Sequence, residues 1–218
     1  MASSEDIILH GYYRSSAAFR VRIALGLKGI AYTQVPHHLR KGEQRSAEYL
    51  ALNPQGLVPT LQIDGLALTQ SVAAIEYLDE TRSTPPLLPA DAAGRARVRT
   101  IAQVITADIH PIDNLRVLNY LRKDLAQPVD AVKRWYAHWI VQGFDALEGL
   151  LTNDSGTGRF CHGDTPGLAD ICLVPQVINA RLQGVDIAAY PVINRIADTA
   201  LAQPAFRDAL PENQPDAE

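Results

Sequence analysis

Along the first third of the chain, short apolar runs alternate with segments whose apolar residues recur every three or four positions. Short runs bounded by turn residues are typical of strands, and the three-to-four spacing is typical of amphipathic helices. In the segment Ser15–Lys28, for example, Phe19, Ile23 and Leu27 share one face, and Gly29 follows as a stop signal. The predicted order is βαβαββα, with a strand at 7–12, a helix at 15–28, a strand at 30–37, a helix at 45–52, a hairpin over 57–71 turning at Asp64-Gly65, and a helix at 71–81.

Beyond residue 91 every long segment has the helical spacing, and no strand alternation or repeat occurs. A proline-rich stretch, "STPPLLPAD", separates this region from the first. The sequence therefore predicts an α/β domain at 7–83, a linker at 84–90 and an all-α domain at 91–218. The predicted helices of the second domain lie at 92–125, with a bend near His110-Pro111, and at 129–152, 168–182 and 192–202.

Composition narrows the class of protein. The 218 residues are 47% apolar and 20% charged, which argues against disorder, and a net charge of −4 argues against a general nucleic-acid partner. No apolar run is long enough to span a bilayer, and the N-terminus lacks a basic region and an apolar core, so no membrane or signal segment is predicted. Residues 1–6 are interpreted as a loose tail.

Cys161 and Cys172 are the two cysteines of the chain. Two are too few for a disulfide framework, both have apolar neighbours, and neither has metal-ligand spacing. We interpret them as reduced, structural residues of a cytoplasmic protein, and no His/Cys cluster supports a metal site.

Candidate chemistry gathers at three points of the first domain. Ser15-Ser16 and Gln70-Ser71 each open a predicted helix, where unpaired N–H groups and partial positive charge favour either a capping hydroxyl or a bound anion. Val58-Pro59 heads a predicted strand, where proline belongs at an edge or in a cis turn. Two such helix starts at one end of a sheet form a crevice for a ligand with two anionic groups. The motif alone leaves open whether the serines cap, bind, or do both.

These motifs resemble the cytosolic glutathione transferases, and the zeta class in particular. The resemblance rests on "RSSAAFRVRIALGLKGI", "ALNPQGLVPTLQIDG", "LTQSVAAIEYLDE", "LLPAD", "LADICLVPQV" and "NQPDA", which occur in the family's order along nearly the whole chain. It implies a thioredoxin-like first domain, a helical second domain, a homodimer with much of its interface on the helix from Ala92, and glutathione as cofactor. It also implies residue roles: Ser15 bonds the glutathione sulfur with Ser16 beside it, Val58 pairs with the cysteinyl backbone before a cis Pro59, and Gln70 and Ser71 hold the γ-glutamyl end.

The activity implied by the resemblance is glutathione-dependent cis–trans isomerisation of maleylacetoacetate or maleylpyruvate in aromatic catabolism. The thiolate would add reversibly to the activated alkene of a dicarboxylate substrate. Arg14 is the first candidate for a substrate carboxylate, although it also fits a solvated surface charge, and Arg181 is the second. His110 fits a capping group or the cleft lining. Two alternatives stay open: conjugation or dehalogenation of small α-halo acids, and a non-catalytic module on the same fold.

The chain departs from the family pattern at three places. Ala17 stands where a cysteine usually follows the two serines, and "NARLQG" places Arg181 one residue before the expected arginine, a rotation of about 100° on a helix. Gly167 replaces the usual Thr or Ser helix cap, although Asp170 can still accept a hydrogen bond from the N–H of residue 167. Thr165-Pro166 offers a rival start for that helix. Arg20 and Arg22 are predicted to be structural ion-pair partners.

Overall fold

A computed structural model describes residues 7–218, and the predicted tail at 1–6 lies outside them. The chain forms two compact units, one from the described residues up to Leu87 together with 202–218, and one from 88–201. The sequence division assigns 202–218 to the helical domain, whereas these residues pack on the first helix of the chain. Gly26 of that helix lies so close to Ala205 that an added Cβ would be 3.2 Å from the Ala205 Cβ.

The first unit is built on a four-stranded mixed sheet. Its strands are β1 (Ile8–Gly11), β2 (Thr33–Pro36), β3 (Thr60–Ile63) and β4 (Leu66–Thr69), in the order β2-β1-β3-β4. β1 pairs with β2 in parallel, while β3 is antiparallel to both β1 and β4. The turn between β3 and β4 has positive φ at Asp64 and Gly65, as a tight hairpin requires.

The helices of this unit complete the predicted βαβαββα order. They are α1 (Ser16–Leu27), α2 (Ala47–Leu52), which a 3₁₀ turn at Glu43–Arg45 precedes, and α3 (Ser71–Thr81). Leu9 and Leu61, paired across β1 and β3, are fully buried, and so are Ile23 of α1 and Leu78 of α3. The helices therefore pack on the central strands through a shared apolar core.

All the regular secondary structure of the second unit is helical. Its helices are α4 (Ala92–Gln103), α5 (His110–Asp113), α6 (Leu115–Lys123), α7 (Val129–Thr152), α8 (Leu168–Leu182) and α9 (Pro191–Leu201). The single helix predicted over 92–125 is divided by a π-helical segment at Val104–Ile109 and by a break at Asn114. Asn114 has extended backbone angles, and its side chain accepts hydrogen bonds from the N–H groups of Arg116 and Val117, so it caps a new helix.

The start of α8 follows the Gly167 alternative. The carboxylate of Asp170 accepts a hydrogen bond from the N–H of Gly167 at 2.9 Å and another from the N–H of Cys161 at 2.8 Å. The rival start at Thr165-Pro166 is not used, because the helix begins at Leu168. Asp170 thus satisfies two backbone donors at once although the cap residue has no side chain.

The segment 202–218, which belongs to the first unit, contains the short helix α10 (Pro204–Arg207).

Candidate active site at one edge of the sheet

The sheet topology brings the three candidate motifs to one edge. β1 and β4 are both antiparallel to β3, so they run in the same direction and their carboxyl ends meet at the edge where β3 begins. The register places Thr60 opposite His10 on one side and opposite Thr69 on the other. The segment before α1, the bond before β3 and the segment before α3 therefore start from three neighbouring positions.

Ser15 both caps α1 and keeps a proton to donate. Its Oγ accepts a hydrogen bond from the N–H of Ala18 at 3.2 Å, and its backbone is extended, as an N-cap requires. Capping uses Oγ as an acceptor, so the hydroxyl proton is left for another acceptor. Ser15 is half-buried, whereas Ser16 is only 6% exposed. Of the two serines, Ser15 therefore presents the accessible hydroxyl.

The turn that leads to Ser15 is stabilised by a backbone hydrogen bond and by a buried arginine. The N–H of Ser15 donates to the carbonyl of Tyr12 at 2.9 Å. Arg22, which is 2% exposed, donates to the carbonyls of Tyr12 and Tyr13, and to that of Ala209, instead of to an acid. Burial lowers the pKa of Arg22 to about 10, so its guanidinium is still charged at neutral pH. A buried cation thus fixes the carbonyl side of the turn.

Val58 and Pro59 stand where β3 enters the site. Their peptide bond is cis, as the resemblance implies. β3 begins at Thr60, so the backbone of Val58 lies before the β3 ladder. Leu57, just ahead, has its carbonyl oxygen held by the Tyr49 hydroxyl at 2.7 Å and the Asn53 amide at 2.7 Å. Hydrogen bonds from the α2 region thereby fix the residue that precedes the cis dipeptide.

Gln70 and Ser71 open α3 on the same edge. Gln70 is exposed, has φ +70°, and donates from its side-chain amide to the Gln55 side chain at 3.0 Å. Ser71 is 5% exposed, and its Oγ accepts a hydrogen bond from Arg20 Nη1 at 3.4 Å. The helix N-terminus, a hydroxyl and a buried guanidinium are thus gathered at one place. Such a set suits a carboxylate.

The remaining predicted site residues have other environments. Arg14 is exposed in the turn between β1 and α1. His110 is half-buried at the first residue of α5. Arg181, near the end of α8, donates to Asn194 at 2.9 Å and pairs with Asp198 at 3.0 Å on the exposed surface of the helical unit. Ala17, where the family has a cysteine, is half-buried in the first turn of α1.

Sequence reasoning missed the roles of Arg20, Arg22 and Asp216. The Asp216 carboxylate accepts a hydrogen bond from the backbone N–H of Tyr13 at 2.9 Å. Its only sequence signal is its place in the "NQPDA" motif, which carries no role by itself. Among residues 7–218, no group of three or more His, Cys, Asp or Glu side chains is arranged to hold a metal ion. Over the same described range, no helix is both long and apolar enough to cross a membrane.

Comparison with known proteins gives concordant matches. A family model described as "Glutathione S-transferase, N-terminal domain" matches residues 9–86. A probable maleylacetoacetate isomerase of Vibrio cholerae is 50% identical over 215 residues, covering 97% of this chain and 99% of that protein.

Two solved structures are similar over almost the whole chain. The holo structure of a bacterial maleyl pyruvate isomerase, a zeta-class glutathione S-transferase, has a TM-score of 0.95 and 47% identity, covering 97% of this chain and 100% of that one. A maleylacetoacetate isomerase from Methylobacterium extorquens AM1, with bound malonate and GSH, has a TM-score of 0.94 and 44% identity, covering 97% and 99%.

Proposed function

The chain belongs to the zeta class of glutathione transferases, and we propose that it is a glutathione-dependent cis–trans isomerase of a maleyl-keto acid, either maleylacetoacetate or maleylpyruvate. The observation that carries the proposal is the hydroxyl of Ser15, which caps α1 through its oxygen and still has its proton to donate. Relatives named for each of the two substrates have similar identities to this chain, so the proposal covers both.

The residues at the sheet edge fit glutathione. A tripeptide thiol has a sulfur, a peptide backbone and a terminal carboxylate, and the edge has a donor for each. The Ser15 hydroxyl suits the sulfur, the backbone of Val58 beside the cis bond suits the peptide, and Ser71 with Arg20 suits the carboxylate. Gln70, exposed at the start of α3, adds an amide at the same end.

When bound, glutathione would supply a thiol that adds to the activated cis alkene and leaves again after rotation about the former double bond. The protein favours the thiolate form through two effects. Shifting a thiol by about two pKa units requires about 2.7 kcal/mol. The N-terminus of α1 contributes about 0.3–1 kcal/mol, and a Ser15 hydrogen bond to a charged acceptor about 1.5–3 kcal/mol. The helix terminus alone falls short of this requirement and the hydrogen bond alone meets it only at the upper end of its range, whereas their sum of about 1.8–4 kcal/mol spans it.

The substrate carboxylates need cationic partners, and Arg14 is our first proposal. It is exposed and adjacent to Ser15, so a carboxylate held by its guanidinium would lie near the sulfur position. His110 and Arg181 are the further candidates. The pairing of Arg181 with Asp198 makes Arg181 the weaker one, because a substrate would have to displace that carboxylate.

We also propose that the chain forms a homodimer through α4. The outer face of this helix and of the π-helical segment after it carries the small exposed residues Ala93, Ala96, Thr100 and Ala107 at helical spacing, with Gln103 on the same face. Small side chains let two helices approach closely, which supports the interface implied by the family. Sedimentation at micromolar concentration should give a dimer, and Ala96→Arg should shift it towards monomer. A monomeric parent protein would reject the interface.

A cytoplasmic location is the companion proposal. Cys161 and Cys172 are both buried thiols, which supports a compartment that keeps thiols reduced. Cell fractionation tests it, and enrichment in an extracellular or periplasmic fraction would contradict it.

The decisive experiment is a turnover assay on maleylacetoacetate and maleylpyruvate, with and without glutathione. An isomerase forms the trans isomer of at least one substrate only when glutathione is present, and the total free glutathione is unchanged after many turnovers. Stoichiometric loss of glutathione would instead indicate conjugation. Binding of glutathione without turnover of either substrate would indicate a non-catalytic module.

A further inference from the structure

The end of the chain returns to the turn that carries Ser15. Asp216 uses both carboxylate oxygens there. Oδ2 accepts a hydrogen bond from the backbone N–H of Tyr13 at 2.9 Å, and Oδ1 accepts one from the side-chain amide of Gln34 at 2.8 Å. Tyr13 lies two residues before Ser15, and Gln34 belongs to β2. One side chain therefore links the C-terminal segment, the β1–α1 turn and the neighbouring strand.

The two sides of Tyr13 are held by opposite charges. Its N–H donates to the Asp216 carboxylate, while its carbonyl accepts from Arg22 Nη2 at 3.1 Å. Arg22 also donates through Nε to the carbonyl of Ala209 at 3.1 Å, so the same guanidinium holds both the turn and the C-terminal segment. The negative charge of Asp216 favours the charged form of Arg22 and partly offsets the lowering of its pKa by burial.

The segment that presents Asp216 is itself ordered by hydrogen bonds. Gln214 is 8% exposed, and its side-chain amide donates to the carbonyls of Asp208 at 3.0 Å and Leu210 at 2.8 Å. The N–H of Ala217 donates back to the carbonyl of Gln214 at 3.0 Å. Asp216 is thus positioned by an ordered C-terminal turn, and its contact with Tyr13 belongs to a network of hydrogen bonds.

We propose that Asp216 is a positioning residue for the isomerisation, and that it aims the Ser15 hydroxyl by holding the N–H of Tyr13. The inference rests on the proposed function. Asp216 touches the turn and not the reacting atoms. Without it, the Tyr13 peptide loses the partner on its N–H side, and the Ser15 hydroxyl samples orientations that do not meet the sulfur. Since catalysis depends strongly on the placement of a donor, kcat should fall more than KM rises.

The test compares Asp216→Ala and Asp216→Asn with Glu218→Gln. Glu218 is a matched control because it lies on the same segment and pairs with His38 at 3.1 Å, away from the N–H of Tyr13. The primary readout is the thiolate absorbance of bound glutathione as a function of pH, which needs no isomerase activity. The second readout is kcat and KM for the isomerase substrate.

Both Asp216 variants should raise the apparent pKa of the bound thiol and lower kcat on the order of tenfold, while Glu218→Gln behaves like the parent. A loss of thermal stability with unchanged thiol pKa and kcat would overturn the proposal and leave Asp216 as a structural residue. If Asp216→Ala does not fold, Asp216→Asn and Asp216→Glu decide the matter through the same readouts. A parent protein that lowers the thiol pKa but isomerises neither substrate would reject the proposed function and leave the thiol-pKa test of Asp216 valid.

Discussion

Arg20 Nη1 lies 3.4 Å from Ser71 Oγ, and this contact joins the two helices that begin at the candidate site. Arg20 is on α1 and is 2% exposed, while Ser71 is the first residue of α3 and is 5% exposed. A guanidinium carries its charge at any physiological pH, so the start of α3 has a buried cation behind its hydroxyl. The hydroxyl at the start of α3 is therefore held from the protein side by a hydrogen bond from a buried guanidinium.

Replacing Ser71 should weaken glutathione binding without changing the thiolate. Ser71→Ala removes one hydroxyl from the carboxylate end, and the loss of a hydrogen bond to a charged group corresponds to about 1.5–3 kcal/mol, or roughly tenfold to a hundredfold in Kd. Calorimetric titration measures the affinity, and thiolate absorbance measures the thiol pKa. A glutathione analogue that lacks the γ-glutamyl α-carboxylate is the control and should bind both proteins alike. A large change in the thiol pKa would contradict the assignment of Ser71.

Replacing Ser15 should separate its capping role from its proposed catalytic role. Ser15→Ala should lower turnover on the order of tenfold to a thousandfold, since one charge-stabilising donor is lost. It should also lower the free energy of unfolding by about 0.5–2 kcal/mol, because the cap of α1 is lost. Ser46→Ala is the matched control: Ser46 caps α2 by accepting from the N–H of Tyr49 at 3.2 Å, the same distance as in the Ser15 cap.

Unfolding and steady-state kinetics on the two variants decide the outcome. Both should lose similar stability, whereas only Ser15→Ala should lose turnover by a large factor. Full activity in Ser15→Ala would transfer the thiolate role to Ser16 or to the backbone of α1.

The elements that the sequence predicts best are those with complete local signals. α3, α7 and α8 have the predicted bounds of 71–81, 129–152 and 168–182. The predicted helix over 92–125 is wrong as a single helix, because Asn114 caps α6 from within the periodic pattern. The spacing of apolar residues does not reveal such a cap. It also does not reveal the π-helical segment at Val104–Ile109, where hydrogen bonds join residues five apart instead of four.

The candidate site was predictable as far as it depends on the ends of elements. Ser15, Pro59 and Ser71 each stand at a start or an end that local pattern locates, and the strand order seen in the structure brings these ends together. Asp216 and Tyr13 are 203 residues apart, and their hydrogen bond exists only because the C-terminal segment packs on the first unit. The sequence predicts an acidic partner for Arg22, whereas in the structure Arg22 donates to backbone carbonyls. The sequence does not show which carbonyls of a turn are left without a backbone donor.

Replacing Arg14 should distinguish a substrate-binding role from a surface charge. Arg14→Met should raise KM for a dicarboxylate substrate and leave conjugation of an uncharged electrophile unchanged. The loss of one charge-assisted pair corresponds to about 1.5–3 kcal/mol, or roughly tenfold to a hundredfold in kcat/KM. A damaged Ser15 turn would depress both reactions equally, so equal losses on both substrates would reject the carboxylate role.

Asp113 makes the stability of the helical unit depend on pH. It ends α5, is 6% exposed, and neither of its carboxylate oxygens has a hydrogen-bond partner among the described residues. Burial raises the pKa of Asp113 from its usual range to about 7. Because the unfolded chain loses this proton near pH 4 and the folded chain only near pH 7, the contribution of Asp113 to stability falls as the pH rises through that window.

Asp113→Asn should therefore be more stable than the parent protein above pH 7 and similar to it near pH 4. A shift of about three pKa units corresponds to about 4 kcal/mol, which is the upper limit of the gain because a relaxing structure or entering water reduces the cost of the buried charge. Urea unfolding near pH 4 and pH 8 measures the difference, and Asp108→Asn, at an exposed position in the preceding segment, is the control. An equal effect at both pH values would show that the substitution acts through packing, and not through the ionisation of Asp113.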